Sequence, residues 1–248
     1  MIPGKIPGKI SVVIPVLNEV RKLPDLLARL ARESHAHEVI VVDGGSRDGS
    51  AEIARRAGAR LLPSTPGRGR QLAAGAAAAG GETLLFLHAD SRFPAGGLAR
   101  IAEVLDRDPQ CPGGNFRLLF DGATPFSRWL TGFYAWIRAH GFYYGDSAIF
   151  VRRRVYRALG GMRPIELMED YDFVRRLERF GSTRCIEEPP LVTSSRRFEG
   201  RRPIAIVWGW LEIHALYHLG VSPRVLARRY EAQRAAARLT PSITGAET

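Results

Sequence analysis

An α/β fold, with a mostly parallel central sheet flanked by helices and a helical region at the C-terminus, is predicted from three features of the sequence. Runs of large apolar residues recur at 10–16, 38–43 and 83–88, and Leu84 to Leu87 is apolar without alternation, the pattern of a strand covered on both faces. Amphipathic or Ala-rich stretches separate these runs. With a short strand at 60–62, the first 90 residues therefore read β-α-β-α-β-α-β, which implies parallel strands joined by right-handed crossovers.

The first strand, 10–16, carries Pro15 near its end, where the ladder can spare an N–H. Leu23, Leu26, Leu27 and Leu30 recur at i, i+3, i+4 and i+7 and predict an amphipathic helix over 22–33. The second strand ends in Asp43. Gly44 to Ser50 then turns the chain into a helix through Ala57, with Ser46 or Asp48 placed to cap it. A loop rich in Gly and Arg, 66–70, opens an Ala-rich helix that stops near Gly80 and Gly81. The strand at 83–88 follows and runs into His88 and Asp90.

The second half is less regular. A helix at 95–107 leads to a strand at 113–120. Aromatic residues crowd 125–144 and predict a helix and loop packed over the sheet, with a sugar-stacking or lipid-facing platform as the sharper alternative. A strand is read at 145–151 and a tight turn at Gly160-Gly161. Glu166 to Asp172 is a burst of acid opening a helix that runs to Phe180. Strand-like segments follow at 184–186 and 191–193.

At 248 residues the chain has ample length for a core. These divide as an N-terminal extension over 1–9, one domain over 10–200 with a break between its halves at 90/91, and a helical region over 201–248. The net charge of +11 predicts attraction to polyanions. Its arginines are scattered and not interleaved with aromatics, so nucleic acid is not expected as a partner. The two cysteines, Cys111 and Cys185, have no metal-like spacing and fit a reducing cytoplasm. No apolar signal region opens the chain. The stretch from Ile204 to Leu219 is interrupted by Glu212, His214 and His218 and falls short of the roughly 20 apolar residues of a spanning helix. It is apolar on nearly all sides, so a core, a subunit interface or a membrane surface must cover it. His214 and His218 share a face but have no companion ligand, and are read as structural.

Polar and acidic groups stand at the ends of the first, second and fourth strands: Asn18 and Glu19, Asp43, then His88 and Asp90. Ligands collect at such strand ends in open α/β sheets. Arg68 and Arg70 lie between them in sequence, and Glu169-Asp170 and Arg196-Arg197 lie downstream. A nucleoside diphosphate needs this inventory. A carboxylate accepts the base N–H, a cation bridges the phosphates and arginines neutralise the remaining charge. A separate carboxylate can accept a proton from an incoming hydroxyl.

The chain resembles family 2 glycosyltransferases of the GT-A fold. The likeness rests on Val-Val-Ile-Pro-Val-Leu-Asn-Glu (12–19), Val-Val-Asp-Gly-Gly-Ser-Arg-Asp-Gly-Ser (41–50), Gly-Arg-Gly-Arg-Gln-Leu-Ala-Ala-Gly (67–75), Leu-Phe-Leu-His-Ala-Asp (85–90) and Met-Glu-Asp-Tyr-Asp (168–172). Within that family it is most similar to an arsenosugar-biosynthesis-type subgroup, through His-Ala-Asp (88–90), Gly-Asp-Ser-Ala-Ile-Phe-Val-Arg-Arg (145–153) and Thr-Ser-Ser-Arg-Arg-Phe (193–198).

The resemblance implies an inverting, non-processive sugar transfer from a UDP- or GDP-linked donor to an acceptor hydroxyl, the acceptor being lipid-linked or a small molecule. It implies that Pro15, Asn18, Glu19, Asp43 and Ser46 line the nucleoside pocket with Arg70, His88 and Arg197 on the nucleotide. Asp90 would ligate Mg²⁺ or Mn²⁺. Asp170 would be the catalytic base, with Glu169 as its competitor, and Asn115, Gly145 and Asp146 would contact the acceptor. The family's Asp-x-Asp stands here as His88-Ala89-Asp90, so one carboxylate is missing, and His88 is open to binding ribose, phosphate or metal. The Gln-x-x-Arg-Trp signature of processive relatives is absent. A cytoplasmic placement, at the inner membrane face if the C-terminal helix docks there, and a homodimer are compatible with the charge and that helix. Two rivals share part of the pattern: a sugar-nucleotide pyrophosphorylase, whose Gly-rich loop after the first strand is missing, and a non-catalytic nucleotide-sugar-binding or membrane-docking subunit.

Overall fold

The structure, a computed structural model, describes residues 8–195, 198 and 202–239; Arg197 and most of the N-terminal extension lie outside the described residues. The strands are β1 (Ile10–Val16), β2 (His37–Asp43), β3 (Arg60–Pro63), β4 (Thr83–Phe86), β5 (Gly113–Phe120), β6 (Ile149–Arg152) and β7 (Arg184–Thr193). The helices are α1 (Leu23–Leu30), α2 (Ser50–Arg56), α3 (Arg68–Ala78), α4 (Gly97–Arg107), α5 (Pro125–Ala139), α6 (Arg153–Ala158), α7 (Glu169–Phe180), α8 (Pro203–His218) and α9 (Pro223–Leu239).

The seven strands form one sheet in the order β3-β2-β1-β4-β6-β5-β7. β1 is parallel to β2 and β4, β2 to β3, and β5 to β7, while β6 runs antiparallel between β4 and β5. The unbroken apolar runs are explained by a core on each face. Val12, Ile14, Val16, Leu85 and Leu87 enter the cluster under α1 and α4. Val13, Ile40, Val42, Leu84 and Phe86 enter the cluster under α3 and α7. A third, smaller cluster joins Met168 and Tyr171 to Ile213 of α8 and Leu226 of α9.

Several expectations are corrected. The helix expected over 22–33 ends at Leu30. The strand expected over 145–151 begins only at Ile149, because Gly145–Ser147 forms a 3₁₀ turn and Ala148 has φ 56°. The two short segments after 184 are one strand, β7, whose register against β5 shifts between Phe116 and Leu118, opposite a stretch containing Pro189 and Pro190; proline N atoms cannot serve the ladder. Helix α6 was not expected. Its six residues bury only Val155 and Tyr156, too little to show a period.

Helix α3 lies directly on β1 and β2. A Cβ at Gly75 would overlap the Val13 and Val42 side chains, both stiff, β-branched and fully buried. Replacing a helical glycine by alanine gains about 1 kcal/mol in propensity, whereas overpacking a filled core costs about 1–3 kcal/mol. Gly75→Ala is therefore expected to lower stability in urea denaturation at unchanged m; a stabilised variant would show that α3 can retreat from the sheet.

Candidate active site at the sheet edge

At the carboxyl edge, Val16 of β1 pairs with Asp43 of β2. Phe86 of β4 pairs with Val13, and the Leu87 N–H still donates to the Val13 carbonyl at 3.0 Å. His88 and Asp90 therefore leave the sheet at the same edge as Asp43. With β2 on one side of β1 and β4 on the other, strand order reverses here, where open sheets of this kind form a ligand crevice. Because β6 is antiparallel, its first residue, Ile149, pairs with Phe86. The 3₁₀ turn at 145–147 is thereby delivered to the same edge.

On the β1–β2 side, two loops are laced into one unit. Asn18, at φ 57°, donates its N–H to Ser46 Oγ at 2.9 Å and accepts the Arg47 N–H at 2.9 Å. The Glu19 N–H donates to Ser50 Oγ and the Val20 N–H to Asp48 Oδ2. The Asp43 carboxylate receives the Ser46 N–H at 3.2 Å. Below them the Gln71 amide donates to the carbonyls of Val16 and Val42 at 2.9 and 2.8 Å, tying the ends of β1 and β2 to α3. Asp48 accepts the Ser50 N–H at the start of α2, while the cap position itself is Gly49.

On the β4–β6 side, α7 opens with two buried carboxylates. Glu169 and Asp170 are 1% and 6% exposed, directly after Met168 at φ 68°. Arg68, the first residue of α3, bridges them: its Nε donates to Glu169 Oε1 and its Nη2 lies 3.2 Å from Asp170 Oδ2. Asp170 Oδ2 also accepts the Gly145 N–H at 2.9 Å, and Oδ1 the Tyr171 N–H at 2.8 Å. α3 reaches α7 because position 69 is glycine; a Cβ there would meet the carbonyls of Arg163 and Ile165 at 2.7 and 2.8 Å. Gly145 sits between His88 and Asp170, since a Cβ on it would be 3.1 Å from both His88 Nε2 and Asp170 Oδ2. Tyr134 donates to Asp146 at 3.1 Å beside them.

This packing sets charge states. Burial pushes the Asp170 carboxyl up, but the Arg68 guanidinium, the Gly145 and Tyr171 N–H groups and His88 outweigh it, so Asp170 is held below the usual carboxylate range. Burial, aided by the neighbouring Asp170 charge, pushes Glu169 up against the pull of Arg68. Burial and Arg68 push His88 down, leaving a neutral imidazole at neutral pH.

The expected site residues thus fall into two groups at one edge: Pro15, Asn18, Glu19, Asp43 and Ser46 in the laced loops, and His88, Asp90, Gly145, Asp146, Glu169 and Asp170 across the switch point. Two expected residues stand apart. Arg70 is exposed and pairs with Glu166 at 3.5 Å; Arg68, named beside Arg70 in the sequence but given no role of its own there, is the arginine that reaches the acids. Asn115 accepts from Arg138 Nε at 2.6 Å and lines a separate cavity of about 420 Å³ with Arg138 and Thr183. No spacing rule distinguishes Arg68 from Arg70, because which face of α3 turns inward is decided by the sheet beneath it.

A cavity of about 510 Å³ adjoins Asp170 and Glu169, walled by Phe133, Tyr144, Trp210 and Tyr230 among others. Helix α8 roofs this end of the sheet. Tyr144 and Tyr171, on either side of Asp170, share hydrogen bonds of 3.0 Å with His214 and His218. Both histidines are thus engaged within the fold.

Among the described residues, no cluster of three or more His, Cys, Asp or Glu is arranged to hold a metal ion. The donors at the edge, Asp90 with His88 beside it, do not fit an all-protein cage. They fit a hard divalent cation that keeps its waters and takes further oxygens from a diphosphate, which asks for one or two protein carboxylates.

A family profile described as "Glycosyl transferase family 2" matches residues 11–159. Among curated proteins, an undecaprenyl-phosphate 4-deoxy-4-formamido-L-arabinose transferase of Aeromonas hydrophila is 38% identical over 107 residues, 38% of this chain and 33% of that protein. The chain spans about a third of the length of the first curated relatives it matches. Among solved structures, a mannosyltransferase from Pyrobaculum calidifontis in complex with GDP-Man and Mn²⁺ superposes with TM-score 0.60 at 20% identity, covering 94% of this chain and 76% of that one. Glucosyl-3-phosphoglycerate synthase from Mycobacterium tuberculosis, with Mg²⁺ and UDP, gives 0.61 at 18% identity, covering 86% and 80%. These neighbours have the GT-A fold.

The Arg68 clamp makes a prediction that needs no substrate. In Arg68→Met the Asp170 titration midpoint, followed by carboxyl NMR, is expected to rise. A depressed carboxylate contributes stability above its unfolded pKa and loses it as pH falls through the folded pKa. The variant should therefore lose that contribution at higher pH than the parent. Equal midpoints would remove Arg68 as the cause.

Proposed function

We propose, since the chain belongs to glycosyl transferase family 2, that it moves a sugar from a nucleoside-diphosphate donor to an acceptor hydroxyl with inversion at the anomeric carbon. The observation that carries this reading is the ionised, buried Asp170 held at one point by Arg68, Gly145 and Tyr171, where the strand-end crevice meets the aromatic cavity.

The laced loops of β1 and β2 take the nucleoside, with Asp43 accepting a base N–H and Asn18, Glu19, Ser46 and Pro15 shaping the pocket. Arg197 serves the phosphates. The acceptor oxygen attacks the anomeric carbon as its bond to the diphosphate breaks, and the hydroxyl proton passes to Asp170. Low basicity is tolerable in that role because the proton becomes acidic as the new C–O bond forms. Glu169 is the second carboxylate of the clamp, and its work is to hold Arg68 against Asp170. Gly145 and Asp146 border the path of the acceptor, and His88 stands neutral beside the diphosphate. Bound Mg²⁺ or Mn²⁺, held by Asp90, would supply electrostatic stabilisation of the leaving diphosphate. The solved neighbours that carry these ions alongside nucleotides support that assignment.

The aromatic cavity and the undecaprenyl-phosphate relative favour an acceptor with a large apolar portion over a small polar one. The arsenosugar-type likeness of 145–153 and 193–198 belongs to this reading as a subgroup assignment. The missing Gln-x-x-Arg-Trp signature favours a single addition.

Asp170→Asn is expected to bind nucleotide with parental affinity while transfer falls roughly 10²- to 10⁴-fold. Retained turnover would hand the role of base to Glu169. EDTA is expected to abolish turnover, with recovery on adding Mn²⁺, and Asp90→Ala should weaken nucleotide binding only when Mn²⁺ is present. Undiminished activity in EDTA would take the cation out of the scheme.

A further inference from the structure

Helix α8 is nearly all apolar, yet only Ile206 and Ile213 of it are buried. Its outer stripe, Ile204, Trp208 and Leu211 at i, i+4 and i+7, is 55–65% exposed. Beside it, α5 turns Trp129 and Trp136 outward at 45% and 59% exposure, two helical turns apart. A stack of rings joins the two helices. Phe133 lies 5.0 Å from Trp129, 6.1 Å from Trp136 and 6.4 Å from Trp210. An exposed apolar patch of this kind on a folded chain marks a surface that is covered in use.

We propose that this α5–α8 face docks on an anionic lipid bilayer, and that the cavity behind it receives an acceptor whose apolar portion is held in that bilayer. The second clause rests on the transferase reading; the first stands without it. Composition favours lipid as the occupant. Tryptophan is the residue most at home at a membrane–water boundary. α5 carries Arg128 and Arg138 with no acid, and the lone acid of α8, Glu212, is paired with Arg229 at 2.6 Å. Arg128 on α5 and Arg202 at the start of α8 are exposed, in a chain of net charge +11. Basic residues flanking a shallow apolar face are drawn to anionic headgroups. A symmetric pairing of two copies would instead bring the same arginines together. No described helix is long and apolar enough to cross a membrane, so contact through these helices would be in the plane of the surface.

Continuity with the site gives the surface a purpose. Leu211 belongs to the exposed stripe and also to the wall of the cavity, which Asp170 and Glu169 line as well. An amphipathic acceptor can therefore keep its apolar portion between the rings of α5 and α8 while its hydroxyl meets Asp170. Neither end of such a molecule has to enter bulk water.

The test uses the full chain, phosphatidylglycerol or phosphatidylcholine vesicles, and a triple variant, Trp136→Ser, Ile204→Ser and Trp208→Ser, whose three positions are exposed and lie outside the cavity lining. The parent is expected to float with phosphatidylglycerol vesicles, with blue-shifted tryptophan emission quenched by brominated lipid, and to bind phosphatidylcholine more weakly. The variant is expected to lose at least tenfold in vesicle affinity while retaining its thermal unfolding midpoint and its affinity for nucleotide. Absence of parental binding, or binding equal in parent and variant, overturns the proposal. So does a concentration-dependent dimer, seen by light scattering without lipid, that the same substitutions abolish. If vesicle binding holds but no nucleotide sugar is bound or turned over, the transferase reading falls and the docking surface remains.

Discussion

Two adjacent carboxylates buried at the start of α7 cannot coexist without a positive partner, and that partner comes from the other half of the chain. Arg68 lies 101 positions before Glu169, yet its guanidinium closes on both acids. Removing a charge from water costs several kcal/mol, which only well-placed opposite charge and hydrogen bonds offset. Here the offset comes from Arg68 together with the N–H groups of Gly145 and Tyr171. The clamp therefore couples the parallel half of the sheet to the irregular half. It also keeps Asp170 ionised in a place where burial alone would neutralise it.

The sheet makes that meeting possible. β1 stands between β2 and β4, and the antiparallel β6 beside β4 returns Gly145 to the edge where β4 ends. Groups separated widely in sequence then face one crevice. Glycine matters at two approaches around the acids: Gly69 lets α3 touch the segment before α7, and Gly145 leaves room for His88 and Asp170 on either side. The C-terminal helices complete the arrangement as a roof. Tyr144 and Tyr171 tie α8 to the residues flanking Asp170 through His214 and His218, so the region past residue 200 helps to shape the cavity.

Much of the fold was legible because both cores impose short-range patterns. The continuous apolar runs of β1, β2 and β4 exist because alternate side chains enter opposite cores, and the leucine period of α1 records its single buried face. The turn at 145–147 was not legible. Its residues are compatible with a strand, and what bends them is the Asp170 carboxylate reached from α7. The continuity of β7 was hidden for a related reason: its two prolines read as an interruption, while the partner β5 absorbs them through a shift in register.

For the site, motif residues such as Asn18, Asp43, His88, Asp90 and Asp170 could be picked out because strand ends and helix starts are local features that carry their own signatures. Sequence alone determined the order of the elements, the parallel half-sheet and the identity of most polar groups at its edge, since each depends on neighbours a few residues away. Only the tertiary structure decided that Arg68 and not Arg70 closes on the acids, that Asn115 turns to Arg138, and that α5 and α8 share a ring-lined cavity beside Asp170. Those outcomes depend on how one packed surface is rotated against another, and spacing along a chain carries no record of that rotation.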